Sequence, residues 1–126
     1  KKIGAKISIM SSDQHDKIMS ITSHLPHLIA FTIVGTAFKI DHKKKKELIN
    51  FSAGGFRDFT RIGSSDPKMW VDIFIHNRKH LLKTLENFSS DIKTLANSIK
   101  NCEEIELFNI LKKNKEIRKS ILKISD

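Results

Sequence analysis

Two histidines three residues apart, His24 and His27, lie in the sequence SHLPH at residues 23–27, and His15 precedes them. Histidines at this spacing can bind a metal ion, but no nearby cysteine or carboxylate completes a ligand set, so no metal site is predicted. At the start of a helix the dipole favours neutral imidazole, which suits hydrogen bonding to a polar ligand. The alternative, which spacing alone favours, is a histidine that caps a helix or is satisfied within the core.

Residues 54–61 read GGFRDFTR and combine two glycines with two arginines. A glycine turn that leads into a helix exposes backbone amides, and the start of a helix favours anions. Arg57 and Arg61 lie four residues apart, and Asp58 lies three residues before Arg61, within reach of an ion pair. A guanidinium at such a turn is suited to binding a carboxylate through two parallel hydrogen bonds. An ordinary ion pair within the helix is an equal alternative.

The single tryptophan and the single cysteine complete the candidates. Trp70 lies one turn into a predicted helix, where it lines a pocket for an aromatic ligand or, as residue type alone favours, fills the core. Cys102 cannot form an internal disulfide, which is consistent with a reducing cytoplasm. The default interpretation of Cys102 is a thiol without a chemical role.

The length of 126 residues and the hydrophobic content of 39% predict one domain or a piece of a longer protein. The chain begins with Lys1 and not with methionine, which favours the piece. A domain of this size leaves much apolar surface near water unless a partner covers it. The sequence shows no basic-apolar leader and no run of about 20 apolar residues, so neither a signal peptide nor a membrane-spanning helix is predicted. We therefore expect a cytoplasmic location and no membrane partner.

The formal net charge of +9 raises the alternative of a protein that binds nucleic acid. The lysines cluster at residues 43–46 and again from residue 112 onward. Neither cluster is interleaved with aromatic side chains that could stack on bases, and the chain has no tyrosine. A solvated basic surface is therefore favoured over a nucleic-acid site.

Hydrophobic periodicity predicts helices over most of the chain. Residues 3–10 alternate apolar and polar side chains like a short strand, which would need a sheet that this chain lacks. A first helix is predicted from Asp13 to about Thr22, and a second follows Pro26. Residues 28–38 carry no charge, so the second helix is expected to be buried within a dimer.

Further helices are predicted in the second half of the chain. A brief helix ends near Phe51, and a turn at residues 54–55 leads into a short helix that ends near residue 62. The Asp-Pro pair at residues 66–67 marks the start of a long helix, which a cap at Asn101 separates from a last amphipathic helix. The long helix carries apolar residues at alternating steps of four and three, as in a coiled coil: Leu81, Leu85, Phe88, Ile92, Leu95 and Ile99.

The order and spacing of these motifs resemble those of one family, the prephenate and arogenate dehydrogenases. The sequences SHLPH at residues 23–27, GGFRDFTRI at 54–62 and SDPxxWxDI at 65–73 are together similar to the C-terminal half of these enzymes. The resemblance covers about residues 3–88, and the combined motif is more specific than any of its parts. Ala53 stands where the family often has a third glycine.

This resemblance implies an all-α dimerisation and substrate-binding domain over residues 11–126, whose long helices interlock with those of a second copy. Residues 1–10 would be a residual strand and linker from a missing Rossmann domain. The implied reaction converts prephenate to 4-hydroxyphenylpyruvate, or arogenate to tyrosine, by oxidative decarboxylation in tyrosine biosynthesis. The chain contains neither the glycine-rich nucleotide turn nor the family's proton-accepting histidine. NAD or NADP is therefore expected mainly in the missing domain, and no catalytic residue or activity is expected in this fragment alone.

Six residues are implied by the resemblance to lie at or beside one substrate pocket: Arg61, His27, Ser23, Trp70, His15 and Asp58. Arg61 would hold a substrate carboxylate, and His27 would contact the substrate or tyrosine. Trp70 would pack beside the ring, and Asp58 would gate access through an ion pair. Tyrosine, the end product, is a candidate feedback inhibitor.

Two alternatives to this function stay open. One is a non-catalytic basic helical dimer that binds nucleic acid or another acidic partner, for which salt-sensitive binding is the distinguishing sign. The other is a dimerisation module whose site has decayed, which differs only in ligand binding. The sequence separates neither prephenate from arogenate nor NAD from NADP.

Overall fold

The architecture is helical throughout most of the residues that the computed structural model describes, which are 7–39, 45–51 and 54–125. Within them the α-helices are α1 (Ser12–Met19), α2 (Leu25–Ala37), α3 (Lys45–Asn50), α4 (Gly54–Thr60), α5 (Pro67–His76), α6 (Arg78–Lys100) and α7 (Glu104–Ser125). A π-turn (Ser20–His24) joins α1 to α2, and a 3-10 turn (Arg61–Ser64) follows α4. The all-α prediction is confirmed. The chain divides into two compact units, with the boundary between Leu85 and Glu86.

The strand predicted at residues 3–10 falls partly outside the described residues. Residues 7–10 form neither helix nor strand, and the side chains of Ile7 and Ile9 are largely exposed. The assignment of residues 1–10 to a residual strand and linker therefore stays a prediction.

Pro26 determines how the first two helices join. Because proline has no N–H, the carbonyl one turn earlier loses its helical donor. The predicted boundary after Thr22 is wrong, since the chain does not end its helix there. It widens into the π-turn, in which the Leu25 N–H donates to the Ser20 carbonyl. Ser20 is fully buried, and its hydroxyl lies 2.9 Å from the Thr84 hydroxyl of α6, so the middle of the run is held in place.

The helical run Ser12–Ala37 is long and apolar enough to cross a membrane by length and composition alone. It has 26 residues, and its most apolar window has a mean hydropathy of 1.4 and is 17% buried in this chain. Charged residues near its start and uncharged polar residues further on interrupt the run. The sequence therefore has no unbroken apolar stretch of about 20 residues, and no membrane-spanning helix was predicted from it. A helix whose apolar faces are covered by other protein surfaces passes the same test.

The predicted start of α5 is confirmed. The Asp66 carboxylate accepts a hydrogen bond of 2.9 Å from the Lys68 N–H, and Pro67 opens the helix. The single long helix predicted beyond it is wrong, because Asn77, with φ −98° and ψ 25°, interrupts it between α5 and α6. The Asn77 side chain is buried and hydrogen-bonds the Asp16 carbonyl and the His24 ring. These contacts stabilise the break between the two helices.

The predicted glycine turn is also wrong, because Gly54 and Gly55 are the first two residues of α4 and neither has a left-handed φ. The close approach that requires glycine is at Gly63, where a Cβ atom would lie 3.1 Å from the carbonyl carbon and oxygen of Ala30. Ala30 is fully buried in α2. The two backbones therefore pack directly on each other and fix the 3-10 turn that begins with Arg61.

In the second unit, the turn between α6 and α7 forms where it was predicted but by another mechanism. Cys102 has a φ of 54°, and its N–H donates to the Ile99 carbonyl over 3.2 Å. The Glu103 N–H donates to the Ser98 carbonyl over 2.9 Å. This is the Schellman arrangement, in which glycine is usual because a side chain in the left-handed region costs about 1–2 kcal/mol. Asn101 lies within this turn and is not the cap of the last helix.

The last helix is amphipathic as predicted, but its apolar face is exposed in a single chain. The exposed fractions of Ile105, Phe108 and Leu111 are 80%, 62% and 54%. In the predicted seam of α6, Ile92 and Ile99 are 48% and 62% exposed. Contiguous exposed apolar faces of this kind are typical of surfaces that bind another protein, a membrane or a ligand.

Substitution of Gly63 tests the backbone contact with α2. We expect Gly63→Ala to lower the free energy of unfolding by about 1 kcal/mol or more, because the added methyl group must push the 3-10 turn away from Ala30. Gly55→Ala is the matched control, since a Cβ atom there meets nothing within 4 Å, and it should leave stability unchanged or slightly higher. Urea unfolding at one protein concentration measures both variants. Equal midpoints for the two would show that the contact does not limit stability.

Candidate functional site

An aromatic cluster in the first unit is centred on Trp70, whose side chain is 6% exposed. The His27 ring stacks on the indole, with ring centroids 3.7 Å apart and an interplanar angle of 22°. The His24 ring meets the indole edge-on at 6.2 Å and 78°, and Phe74 lies one turn along α5 at 5.4 Å. The histidine motif and the tryptophan, separate candidates in the sequence, therefore form one site.

Local structure places each of these rings. His24 is the last residue of the π-turn and His27 is in the first turn of α2, so a few residues bring two imidazoles to one place. The Asp66 cap fixes the start of α5, and Trp70 is the fourth residue of that helix. Trp70 thus fills the core and contacts His27, and its predicted role beside an aromatic ligand stays a prediction.

His27 has a defined tautomer. Its Nδ1 lies 2.9 Å from the Ser23 carbonyl, which can only accept a hydrogen bond, so Nδ1 carries the proton. When the ring is neutral, Nε2 is then an acceptor. The Ser23 hydroxyl makes no hydrogen bond within the described part of the chain, and this residue contributes its carbonyl to the cluster.

Burial lowers the pKa of His24 below its ordinary value of 6.5, and His15 and His27 shift it in the same direction. The Asp16 carboxylate opposes them by favouring the charged ring. The His24 side chain is buried, and its Nδ1 lies 3.0 Å from Nδ2 of Asn77. His24 is therefore a neutral ring in the folded protein at neutral pH.

Arg61 is the first residue of the 3-10 turn, and it is exposed. This turn packs on α2 through the contact of Gly63 with Ala30, and His27 lies one helical turn before Ala30. Within the described residues the Arg61 guanidinium makes no hydrogen bond or ion pair. Its donors face solvent, on a turn whose backbone packs on α2.

The predicted ion pair of Asp58 is not found among the residues that the structure describes. Across the described ranges, the Asp58 carboxylate pairs with neither Arg57 nor Arg61. Because α4 ends at Thr60, Arg61 begins a tighter turn and the helical spacing that would join it to Asp58 is not kept. Both charges are exposed, where an ion pair contributes little to stability.

His15 lies outside the aromatic cluster. Its side chain is 58% exposed, and its Nδ1 lies 3.0 Å from the carboxylate of Asp16. His80 makes a comparable contact with Asp13, at 3.1 Å, which the sequence did not indicate. In the part of the chain that the structure describes, no three histidine, cysteine or carboxylate side chains are grouped to hold a metal ion.

Asn77 is a site residue that sequence reasoning missed. It is 6% exposed, and its Nδ2 lies 2.8 Å from the Asp16 carbonyl as well as 3.0 Å from His24 Nδ1. A signal for it was present, because Asn77 follows Trp70 by seven residues and Ile73 by four, which continues the apolar helix face. A polar residue on such a face must find buried partners.

The lowered pKa of His24 predicts a loss of stability in acid. Below about pH 6.5 the unfolded chain binds a proton that folded His24 does not bind, so the free energy of unfolding falls until the pH passes below the folded-state pKa. We expect the urea midpoint to decrease between about pH 7.5 and about pH 5.5, and the decrease to be shallower in His24→Gln. His76→Gln, at an exposed ring, should keep the wild-type slope. Identical slopes in wild type and His24→Gln would contradict this prediction.

Comparison with known proteins points to one family. Residues 11–113 match the family model described as "Prephenate dehydrogenase, dimerization domain". Cyclohexadienyl dehydrogenase of Zymomonas mobilis is 36% identical over 118 residues, which cover 94% of this chain and 40% of that protein. Prephenate dehydrogenase of Bacillus subtilis is 34% identical over 111 residues, which cover 86% of this chain and 29% of that protein.

Solved structures share the fold. Prephenate dehydrogenase from A. aeolicus, in complex with hydroxyphenyl propionate and NAD+, is 38% identical with a TM-score of 0.85 over 94% of this chain and 41% of that one. Arogenate dehydrogenase of Synechocystis is 26% identical with a TM-score of 0.86 over 94% of this chain and 43% of that one. The chain therefore spans less than half the length of these relatives.

Proposed function

The chain belongs to the family of prephenate dehydrogenase dimerisation domains, and we propose that it is the substrate-binding and dimerising part of an enzyme that oxidatively decarboxylates prephenate or arogenate. The observation that carries this proposal is the stack of His27 on Trp70, which joins two motifs in one cluster. The turn that bears Arg61 packs on the same helix as His27. An aromatic cluster and a guanidinium without a partner among the described residues, on elements that pack together, suit a ligand with a six-membered ring and a carboxylate.

The proposed reaction removes a hydride and carbon dioxide from the substrate, whose ring becomes aromatic. NAD or NADP, when bound, supplies the hydride acceptor. The described residues of this chain form helices and turns without the strand, glycine turn and helix that hold a dinucleotide. We therefore assign the cofactor and the proton acceptor to another domain of the complete enzyme. This chain then contributes orientation and charge neutralisation for a dianionic substrate.

Arg61 is assigned the substrate carboxylate. Its exposed guanidinium has no partner among the described residues, and a planar fork of N–H donors matches a carboxylate through two hydrogen bonds. The contact of Gly63 with Ala30 holds the backbone of this turn in place. Only the arginine side chain would therefore need to adjust to the ligand. The anchored carboxylate would be remote from the reacting carbon, and its charge would not change during the reaction.

His27 and Trp70 are assigned the substrate ring, with Ser23 beside them. Because the Nδ1–H of His27 is engaged by the Ser23 carbonyl, the remaining nitrogen of the neutral ring is available to a ligand donor. His15 and Asp58 are exposed, and we assign them to the rim of the pocket, where Asp58 would gate entry through its charge. Tyrosine carries a six-membered ring with a carboxylate on the attached chain, as the substrate does, so it would compete for this site as a feedback inhibitor.

A second copy of the chain is proposed to cover the exposed apolar faces. The family is described by its role in dimerisation. A partner copy would bury the α7 face and the run Ser12–Ala37, which gives that run an explanation other than a membrane. The alternative of a basic dimer that binds nucleic acid has no support among the relatives. We propose a cytoplasmic location, which a free Cys102 thiol supports.

Substitution of Arg61 tests the carboxylate assignment in the complete enzyme. We expect Arg61→Ala to raise KM with a smaller loss in kcat, because the arginine binds ground state and transition state almost equally. The loss of a charge-assisted, two-point contact should reduce kcat/KM by roughly 30- to 1,000-fold. Arg61→Lys should recover part of this, since an ammonium lacks the planar fork. Steady-state kinetics with prephenate and with arogenate measure the change.

Arg57→Ala is the control, because Arg57 lies one turn earlier in α4 and is also exposed. Its effect should be several-fold weaker. An unchanged KM in Arg61→Ala, or an equal loss in Arg57→Ala, would show that Arg61 is not the carboxylate anchor.

Sedimentation velocity tests the proposed dimer. We expect a dimer at micromolar concentration with an interface of well over about 2,000 Å², because the exposed faces of α6 and α7 are apolar. Phe108→Glu places a charge on the α7 face and should shift the equilibrium towards the monomer. Lys68→Glu, at an exposed position on α5 and outside the faces of α6 and α7, is the control for added negative charge. A folded monomer of the wild-type chain at that concentration would contradict the proposal.

A further inference from the structure

Asn77 lies where three elements of the first unit meet. It separates α5 from α6, and its Nδ2 lies 2.8 Å from the Asp16 carbonyl of α1 and 3.0 Å from His24 Nδ1 in the π-turn. The side chain is 6% exposed, so water does not compete for these contacts. One buried amide thus joins the break between two helices to the run that carries both histidines.

The orientation of this amide follows from its partners. A backbone carbonyl only accepts hydrogen bonds, so the end of Asn77 that faces the Asp16 carbonyl must be the NH₂ group. The reversed amide would place its oxygen against that carbonyl and would bury an NH₂ group without acceptors. Oδ1 is the end of Asn77 that is buried without a partner among the described residues. The two N–H bonds therefore determine the orientation.

The same NH₂ group determines the tautomer of His24. Because it faces His24 with an N–H, Nδ1 of His24 must be the acceptor, and the proton of the neutral ring lies on Nε2. His27 is the opposite case, since its Nδ1–H donates to the Ser23 carbonyl. Two imidazoles that contact one indole therefore have opposite tautomers.

We propose that Asn77 is a positioning residue that fixes the tautomer and ring orientation of His24, and through the contact of His24 with Trp70 fixes the surface on which His27 stacks. A rotated His24 would no longer meet the indole edge-on, and the indole would be free to move under His27. The tautomer assignment stands independently of the proposed function. Its consequence for ligand binding rests on that function.

The first test is the tautomer of each histidine in the intact protein. The ring nitrogen shifts of ¹⁵N-labelled histidine distinguish a protonated from an unprotonated Nδ1, and His24→Gln identifies the His24 signals. We expect an unprotonated Nδ1 in His24 and a protonated Nδ1 in His27. A protonated Nδ1 in wild-type neutral His24 overturns the proposal, whether or not any Asn77 variant folds.

Variants of Asn77 test the cause of the tautomer. Asn77→Asp replaces the donor by a carboxylate. This carboxylate would favour the charged form of the His24 ring, as Asp16 does, whereas His15 and His27 favour the neutral form. His24 should then hold its proton on Nδ1 and stay charged to higher pH. Asn77→Ser retains a hydroxyl donor and should keep more of the wild-type tautomer than Asn77→Asp does. An unchanged His24 tautomer in Asn77→Asp overturns the proposal.

Binding of hydroxyphenylpropionate separates this inference from the proposed function. By calorimetry on the intact protein, Asn77→Asp should weaken binding by roughly three- to tenfold, the scale of one neutral hydrogen bond. Asn87→Asp, at an exposed position on α6, is the matched control and should bind like the wild type. Equal affinity in wild type and Asn77→Asp, despite a changed tautomer, overturns the positioning role. Absence of binding to the wild type contradicts the proposed function and leaves the tautomer assignment supported by the nitrogen shifts.

Discussion

A proline inside a helical run removes one backbone donor, and around Pro26 the run responds by widening over five residues instead of ending. A π-turn holds more residues than an α-turn, so the side chains that follow it are rotated relative to those that precede it. His24 ends that turn and His27 follows it by three residues, and both rings contact Trp70. The geometry of the aromatic site therefore depends on the one backbone hydrogen bond that Pro26 cannot donate.

Uncharged contacts fix the rest of the site. The buried Ser20 hydroxyl meets Thr84, and the Gly63 backbone rests on Ala30. These contacts involve short side chains or none, so little side-chain freedom is lost when they form. Arg61, to which we assign the substrate carboxylate, is exposed on a turn held in this way. Rigidity thus comes from packing, and the exposed guanidinium stays in contact with water.

Local features of the site could be predicted from the sequence, and distant contacts could not. The cap at Asp66 and the helix start at Pro67 depend on neighbours in the chain and were correctly placed. The break at Asn77 depends on partners 61 and 53 residues away, the Asp16 carbonyl and the His24 ring, which periodicity does not reveal.

The same distinction explains two errors of local reasoning. An ion pair from Asp58 to Arg61 assumed that α4 continues, but its end changes the angle between the two side chains. A turn at residues 54–55 assumed that paired glycines mark a bend, although glycine also begins a helix. Spacing rules hold only while the element that defines the spacing persists.

The turn between α6 and α7 gives the chain a uniquely addressable point. Cys102 is the single cysteine of the sequence, its side chain is exposed, and two backbone hydrogen bonds fix the conformation of the turn that carries it. A spin label or fluorophore attached to this sulfur would sit at an equivalent position in each copy of an assembly. In a symmetric dimer, one labelling reaction would therefore give one intermolecular distance, a ruler that reports the arrangement of the two subunits in solution.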